Sequence, residues 1–149
     1  MENGELNQSL PKQFVIDASV TVAWCFDDES TTFTEGILDL LSAGAEGVAP
    51  GIWPMEVANA LLVAERRKRI SVAQVTALLG RIVQLPVSVE TTAPDRAFSQ
   101  VLSVARQHQL TEYDAAYVEL ALRKGLPFAT LDDKLRQAAR TAGIKLVSV

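Results

Sequence analysis

The sequence predicts an α/β protein, a three-layer α/β/α sandwich with a mainly parallel sheet. Short apolar segments alternate with longer amphipathic segments along most of the chain, which is the pattern of strands connected by helices. Residues 110–135 show this unit most plainly: a helix, a glycine-containing turn, a brief apolar strand and an acidic strand end. Open α/β sheets build their sites at this carboxyl edge of the strands. The predicted fold therefore indicates where a functional site would lie.

The composition indicates one globular domain. The chain has 149 residues, of which 48% are hydrophobic and 21% charged, enough for a single core and incompatible with general disorder. Apolar runs such as 22–26 and 60–64 are far shorter than the roughly 20 residues that a membrane span needs, so no membrane association is expected. Residues 1–12 lack the features of a secretory signal. We therefore expect a flexible tail at 1–12, a domain at 13–149 and a cytoplasmic protein.

Cysteine content and charge limit the chemistry further. The single cysteine, Cys25, excludes an internal disulfide and a cysteine-based zinc site, and its apolar surroundings predict core packing. The net charge of −4 argues against broad electrostatic attraction to nucleic acid. Nucleic-acid binding is compatible with this charge if many acids gather in one metal-filled site while bases line its edges.

The first half of the chain predicts two strands and three helices. Residues 14–16 form a β-rich run that stops at Asp17, after which a helix begins. Apolar residues recur at helical spacing over 31–45, and a short strand at 47–49 follows. Residues 52–68 are rich in Ala, Leu, Met and Glu and end in basic residues, which predicts the third helix.

The second half continues the alternation. Ser71 can cap a helix that runs to about Leu85, and the next strand is predicted at 87–90. The remaining predicted elements are helices at 94–107, 111–124 and 133–142 and strands at 127–131 and 145–149. Together these elements predict a mainly parallel sheet covered by helices on both faces.

Four acidic residues lie where a charge needs an explanation. Asp17 and Asp132 follow predicted strands, at the rim where an α/β sheet presents its ligand crevice. Asp114 shares a helical face with apolar residues three, four and seven positions later. Glu56 repeats that pattern, with Asn59 one turn along. A carboxylate on an apolar face requires compensation, so these acids are candidate functional residues.

Helix capping is the alternative explanation for most of them. Asp17 and Asp132 could be the N-caps of the helices that follow, and residues 111–114 have the spacing of a capping box with Asp in place of Glu. Capping explains Glu56 least well. Asp133 adjoins Asp132, so the residue types leave open which of the two faces a site.

If the four acids converge, their mutual repulsion would protonate some of them unless a cation were present. Oxygen ligands without cysteine or clustered histidine favour a hard cation, Mg²⁺ or Mn²⁺. Phosphodiester hydrolysis suits such a site, because the metal lowers the pKa of an attacking water and neutralises charge on the phosphate and leaving oxygen. Glycoside hydrolysis needs only two of the acids and stays possible on residue types alone.

Four motifs in order resemble those of the PIN-domain ribonucleases, and most closely the VapC-type toxins of bacterial toxin–antitoxin pairs. They read FVIDAS at 14–19, PMEVANAL at 54–61, LTEYDAAY at 110–117 and ATLD at 129–132, and the resemblance extends from residue 13 to 149. The resemblance implies metal ligands Asp17, Glu56, Asp114 and Asp132, oriented by Ser19, Asn59 and Thr130, with Asp133 beside them. Asp132 is favoured over Asp133 because it completes the Thr-x-Asp pattern.

The resemblance also implies a function and partners. We expect a Mg²⁺- or Mn²⁺-dependent endoribonuclease that is the toxin of a toxin–antitoxin pair, forms a homodimer and is blocked by a small antitoxin protein. Two alternatives are a catalytically inert PIN-fold binding module and a metal-dependent phosphohydrolase acting on small phosphate esters. The basic run 66–69 could contact RNA phosphates, although such a run at a helix end commonly serves the helix dipole and solubility.

Overall fold

The computed structural model describes residues 10–149 and confirms the α/β fold, with a four-stranded all-parallel sheet flanked by helices. The strands are β1 (Gln13–Ile16), β2 (Glu46–Pro50), β3 (Val87–Glu90) and β4 (Phe128–Ala129). The helices are α1 (Ala18–Ala23), α2 (Thr32–Ser42), α3 (Trp53–Arg66), α4 (Val72–Ile82), α5 (Pro94–Arg96), α6 (Leu102–His108), α7 (Glu112–Lys124) and α8 (Asp133–Thr141). A π-helical segment, Ala97–Val101, joins α5 to α6.

The strand order explains where the site lies. The sheet runs β3-β2-β1-β4, so the chain moves outward in one direction from β1 and later returns to its other side. Val15 of β1 faces Val48 of β2 and Phe128 of β4 in register. The order therefore reverses between β1 and β4, and the crevice beyond their carboxyl ends is the usual ligand position in such sheets.

The core forms between β1 and the helices that cover it. Phe14, Val15 and Ile16 are fully buried, as expected of a central parallel strand. Tyr117 of α7 is also buried and stacks on Phe128, with ring centroids 6.2 Å apart. Packing of α7 on β1 and β2 fixes the start of α7 at the carboxyl edge of the sheet.

Local sequence signals set several of the element ends. Ser71 caps α4 as predicted, in a capping box with Gln74. Thr31 caps α2 in the same way through Thr34. Gly125 ends α7 with a φ of 63°, a left-handed conformation that glycine adopts without strain. This sharp stop lets the chain turn directly into β4.

Three predicted elements differ from the structure. The strand predicted at 145–149 is only an isolated bridge between Phe128 and Leu146, because β4 offers it just two paired residues. The strand predicted at 127–131 is shortened because the Thr130 side chain bonds to Asp17 and to the Asp132 N–H. The helix predicted at 94–107 contains the π-helical segment.

Residues 1–9 of the predicted tail lie outside the described residues. The carbonyl of Lys12 accepts a hydrogen bond from the Glu46 N–H at 2.9 Å, which ties the start of β1 to β2. Across residues 10–149, no helix combines the length and apolar character needed to cross a bilayer.

Candidate active site

Asp17 is the most deeply buried of the predicted site residues. It directly follows β1, caps α1 and is 3% exposed. Its Oδ1 accepts hydrogen bonds from the Ser19 N–H at 3.0 Å and the Ser19 hydroxyl at 2.5 Å, and its Oδ2 accepts one from the Thr130 hydroxyl at 2.5 Å. Burial raises the pKa of Asp17 to about 6, against these hydrogen bonds, which lower it. Asp17 therefore caps α1 as predicted. Capping alone does not compensate for the burial of its carboxylate at the sheet edge.

Ser19 and Thr130 connect the ends of β1 and β4. The Thr130 hydroxyl donates to Asp17 and accepts from the Asp132 N–H at 3.0 Å. The Ser19 hydroxyl likewise donates to Asp17 and accepts from the Leu131 N–H at 3.0 Å. Ser19 and Thr130, two of the three predicted orienting residues, thus hold Asp17 against the loop that carries Asp132.

Asp132 is the N-cap of α8 and lies on the surface. Its Oδ1 accepts a hydrogen bond from the Leu135 N–H at 2.9 Å. The negative charge of Asp132 contributes to raising the pKa of Asp114, after burial, which makes the two carboxylates near neighbours. Asp133 is the first residue of α8 and is exposed. The charge of Asp132 therefore acts on Asp114 across the gap between α8 and α7.

Asp114 lies in the first turn of α7, where Thr111 caps the helix. The Asp114 N–H donates to the Thr111 hydroxyl at 3.1 Å. Burial and then Asp132 raise the pKa of Asp114, whereas Lys134 and the Thr111 side chain lower it. Asp114 is only half-buried, so it is partly accessible to solvent at the start of α7.

Glu56 is held by a residue that the sequence did not suggest as functional. The Tyr117 hydroxyl donates to Glu56 Oε1 at 2.7 Å, across 61 positions of sequence. Burial raises the pKa of Glu56, the Tyr117 hydrogen bond lowers it, and the charge of Asp114 raises it. The only sequence signal for Tyr117 was its position three residues after Asp114, on the same helical face. Tyr117 thus orients one acid from the helix that carries another.

Glu56, Asp114 and Asp132 are linked by the effects of their charges, and Asp17 lies beside them at the sheet edge. Burial, the hydrogen bond to Glu56 and the charges of Glu56 and Asp17 all raise the pKa of Tyr117, so its hydroxyl is affected by both carboxylates. In the described part of the chain, no salt bridge involves Asp17, Glu56, Asp114 or Asp132. Lys134 is the one base that lowers the pKa of Asp114. The site therefore carries excess negative charge that a cation would stabilise.

The donor chemistry suits a hard cation, with one restriction. Carboxylate and hydroxyl oxygens are ligands that Mg²⁺ and Mn²⁺ prefer. Among residues 10–149, no three acidic, histidine or cysteine side chains are arranged to hold one ion together. Mg²⁺ usually keeps several waters and binds through one or two carboxylates, so the site fits that ion without a complete protein cage.

Other predicted contacts are not formed as expected. Asn59 is exposed, and the hydroxyl of Tyr117 takes the place expected of its amide beside Glu56. Arg69 of the basic run pairs with Asp28 at 2.6 Å and lies over the Phe26 ring, so it stabilises the fold locally. Cys25 is half-buried against the cluster around Phe26, in agreement with a packing role.

The comparisons with known proteins agree with this architecture. The family model of the PIN domain matches residues 14–141. The fold is similar to PAE2754 from Pyrobaculum aerophilum, with 23% identity, a TM-score of 0.69, and 99% of this chain and 92% of that chain covered. It is similar to VapBC2 from Rickettsia felis, solved with a DNA fragment from their promoter, at 12% identity and TM-score 0.63, covering 90% and 96%.

A third similar structure is VapC20 from Mycobacterium tuberculosis, described as a Sarcin-Ricin loop cleaving toxin. Its identity is 15% and its TM-score 0.62, with 84% of this chain and 94% of that chain covered. No curated protein sequence matches the chain. These structural likenesses establish the fold, and the family model spans most of the sequence. The chain therefore belongs to the PIN domain family.

Proposed function

We propose that this protein is a Mg²⁺- or Mn²⁺-dependent endoribonuclease that acts as the toxin of a toxin–antitoxin pair. The proposal is supported by the interaction of the Glu56 charge with Asp114 and of the Asp114 charge with Asp132, beside the buried Asp17. Within the described residues, none of these acids forms a salt bridge. Asp17 is a buried carboxylate without a salt bridge in the described residues, and a bound cation would offset the cost of burying its charge. Membership of the PIN family and the similarity to a toxin described as cleaving the Sarcin-Ricin loop support the same conclusion.

Each acid has a separate role in the proposed reaction. Asp17, Asp114 and Asp132 are the proposed ligands; one or two of them would bind the cation directly and the others through its bound waters. Ser19 and Thr130 would keep the Asp17 oxygens fixed. When bound, the cation would lower the pKa of the attacking water and neutralise developing charge on the phosphate. Glu56, held by Tyr117, would bind the cation or orient that water. Lys134, whose charge lowers the pKa of Asp114, would bind a phosphate oxygen of the RNA.

A cleft beside these acids is the proposed position of the RNA and of an inhibitory partner. It has a volume of about 550 Å³ and includes Ser19, Glu56 and Leu131. Val22 and Ala60 give it apolar walls, which a small antitoxin protein could cover. We propose a homodimer on the ground of the resemblance to VapC-type toxins.

A thermal-shift titration tests the metal requirement. A cation that binds only the folded state raises its melting temperature by mass action, so we expect Mn²⁺ at millimolar concentration to stabilise the protein. Asp114→Asn should reduce this shift, whereas Asp39→Asn, which removes an exposed charge on α2, should not. Absence of any Mn²⁺ response would favour an inert binding module. A response accompanied by hydrolysis of a generic phosphate ester, without RNA cleavage, would favour a phosphohydrolase.

A further inference from the structure

A second groove lies farther along the same sheet edge. We propose that this groove binds a guanine base of the RNA, with Glu112 reading its hydrogen-bonding edge and Tyr113 stacking on its ring. The inference deepens the proposed ribonuclease function and rests on it for the choice of ligand. It assigns base recognition to residues outside the four acids.

The groove is formed where several elements meet. It has a volume of about 530 Å³ and lies at the ends of β2 and β3, against the π-helical segment and the first turn of α7. Its walls are largely aliphatic, from Pro50, Ile52, Val89, Ala97, Val101 and Ala116. A groove of this size and character suits a flat, largely apolar ligand with a polar edge.

Glu112 supplies the polar contact. Its Oε2 is buried and has no hydrogen-bond partner among the described residues, although Glu112 lines the groove. A buried carboxylate oxygen without a donor is costly. A ligand that donates N–H groups to it would remove that cost.

Guanine has the donor pattern that a carboxylate requires. An ionised carboxylate only accepts hydrogen bonds, through two oxygens. The Watson–Crick edge of guanine presents two neighbouring donors, N1–H and the N2 amino group, whereas adenine presents an acceptor, N1, beside its amino group. Adenine would therefore place a lone pair against the Glu112 carboxylate, and the site would discriminate against it.

Tyr113 supplies the stacking surface. It also lines the groove, and 62% of the residue is exposed, which is unusual for a large aromatic side chain without a partner. Unpaired bases of single-stranded RNA stack on such rings. Glu112 and Tyr113 are adjacent, so one turn of α7 provides both contacts.

The position agrees with a base near the scissile phosphate. The proposed catalytic acids lie beyond β1 and β4, and the groove lies beyond β2 and β3. Two strand spacings separate these positions, about 10 Å along the edge. Tyr113 precedes Asp114 directly. An RNA strand that follows the carboxyl edge would thus bring a neighbouring nucleotide to the groove.

Cleavage of short single-stranded RNAs that differ at one position tests the proposal. Guanine, inosine or adenine is placed in turn at each position flanking the cut. We expect cleavage to be about tenfold or more faster with guanine than with adenine at one such position, and inosine to be intermediate because it lacks the N2 amino group. Glu112→Gln should remove most of this preference. Asp95→Asn, an exposed acid in the first turn of α5, is the charge-matched control and should preserve it.

A binding measurement separates this inference from the proposed function. In metal-free buffer, guanosine monophosphate should perturb the Tyr113 ring NMR signals at lower concentration than adenosine monophosphate, and Glu112→Gln should abolish the difference. Guanine-selective binding without RNA cleavage would contradict the proposed ribonuclease activity but support the groove as a guanine-binding site. Cleavage without guanine preference, or preference retained in Glu112→Gln, would overturn the groove assignment. Binding of an arginine-containing peptide in place of either nucleotide would also overturn it.

Discussion

Asp17 is the most deeply buried of the four acids, and its burial outweighs the hydrogen bonds that it accepts. Its folded pKa of about 6 exceeds its ordinary value of 3.8 because burial penalises the charged form. Between these values the folded state binds more protons than the unfolded state. The stability of the metal-free protein should therefore fall as the pH rises from about 4 to about 6, and stay lower above that range.

Asp17→Asn should relieve this cost. The substitution removes the buried charge, worth up to about 3 kcal/mol at neutral pH for a shift of this size. We expect the free energy of unfolding of Asp17→Asn, compared with that of the parent, to be higher at about pH 7.5 than at about pH 4. Denaturant unfolding in EDTA at the two pH values measures the difference. An effect of equal size at both values would contradict the assigned burial of charge.

Tyr117 has a role that only the folded structure reveals. Because its hydrogen bond lowers the pKa of Glu56, Tyr117→Phe should raise that pKa. If Glu56 acts as an ionised carboxylate, the acid limb of the pH–rate profile should move to higher pH. If the rate of Tyr117→Phe fell equally at every pH and the acid limb of the profile did not shift, Tyr117 would have a purely structural role. The sequence could place Tyr117 beside Asp114 on one helix, but it could not show contact with Glu56.

At the scale of elements, α7 is fixed by ion pairs as well as by apolar packing. Glu119, 6% exposed, accepts from Arg96 of α5 at 2.9 Å and from Arg123 at 3.0 Å. Arg123 also bonds to Glu90 at the end of β3 at 3.0 Å, and Lys124 pairs with Glu90 at 2.8 Å. These contacts tie α7 to the outer part of the sheet.

Arg123→Ala should therefore destabilise the protein more than Lys124→Ala. Arg123 bonds to a buried acid, so its loss should cost about 1–3 kcal/mol after allowing for its partial exposure. Lys124 pairs only with a partly exposed acid, so its loss should cost about 0–1 kcal/mol. Chemical denaturation of both variants gives the comparison. Equal losses would mean that Glu119 does not depend on Arg123.

Local sequence signals determined most elements but not all of their lengths. The central strand, the Ser71 cap and the stop after Lys124 follow from apolar runs, a capping pattern and a glycine, all of which act within a few residues. The last predicted strand is reduced to one bridge because its pairing depends on Phe128 of β4, in a separate part of the sequence. The length of a strand depends on pairing with its neighbour in the sheet, and local propensity carries no information about that neighbour.

At the scale of the whole molecule, the motifs that end in Asp17 and Asp132 predict one common site because parallel strands share a carboxyl edge. Asp17 and Thr130 are 113 positions apart, yet β1 and β4 are neighbours. The sequence could not supply the strand order that joins them, or the Glu112 groove, which requires β2, β3 and α7 together. Arg69, Arg96 and Arg123 form salt bridges with other acids. The net charge of −4 is therefore compatible with uncompensated acids at this edge.

Metal-dependent RNA cleavage by matched variants tests the central claim most directly. The parent, Asp114→Asn and Asp39→Asn are incubated with total RNA and Mn²⁺, and the new RNA ends are mapped. We expect defined cuts by the parent and Asp39→Asn, dependence on the cation, and a loss of at least about a hundredfold in rate for Asp114→Asn, typical for removal of a key catalytic group. Equal cleavage by the parent and Asp114→Asn at the same Mn²⁺ concentration would contradict the proposed site.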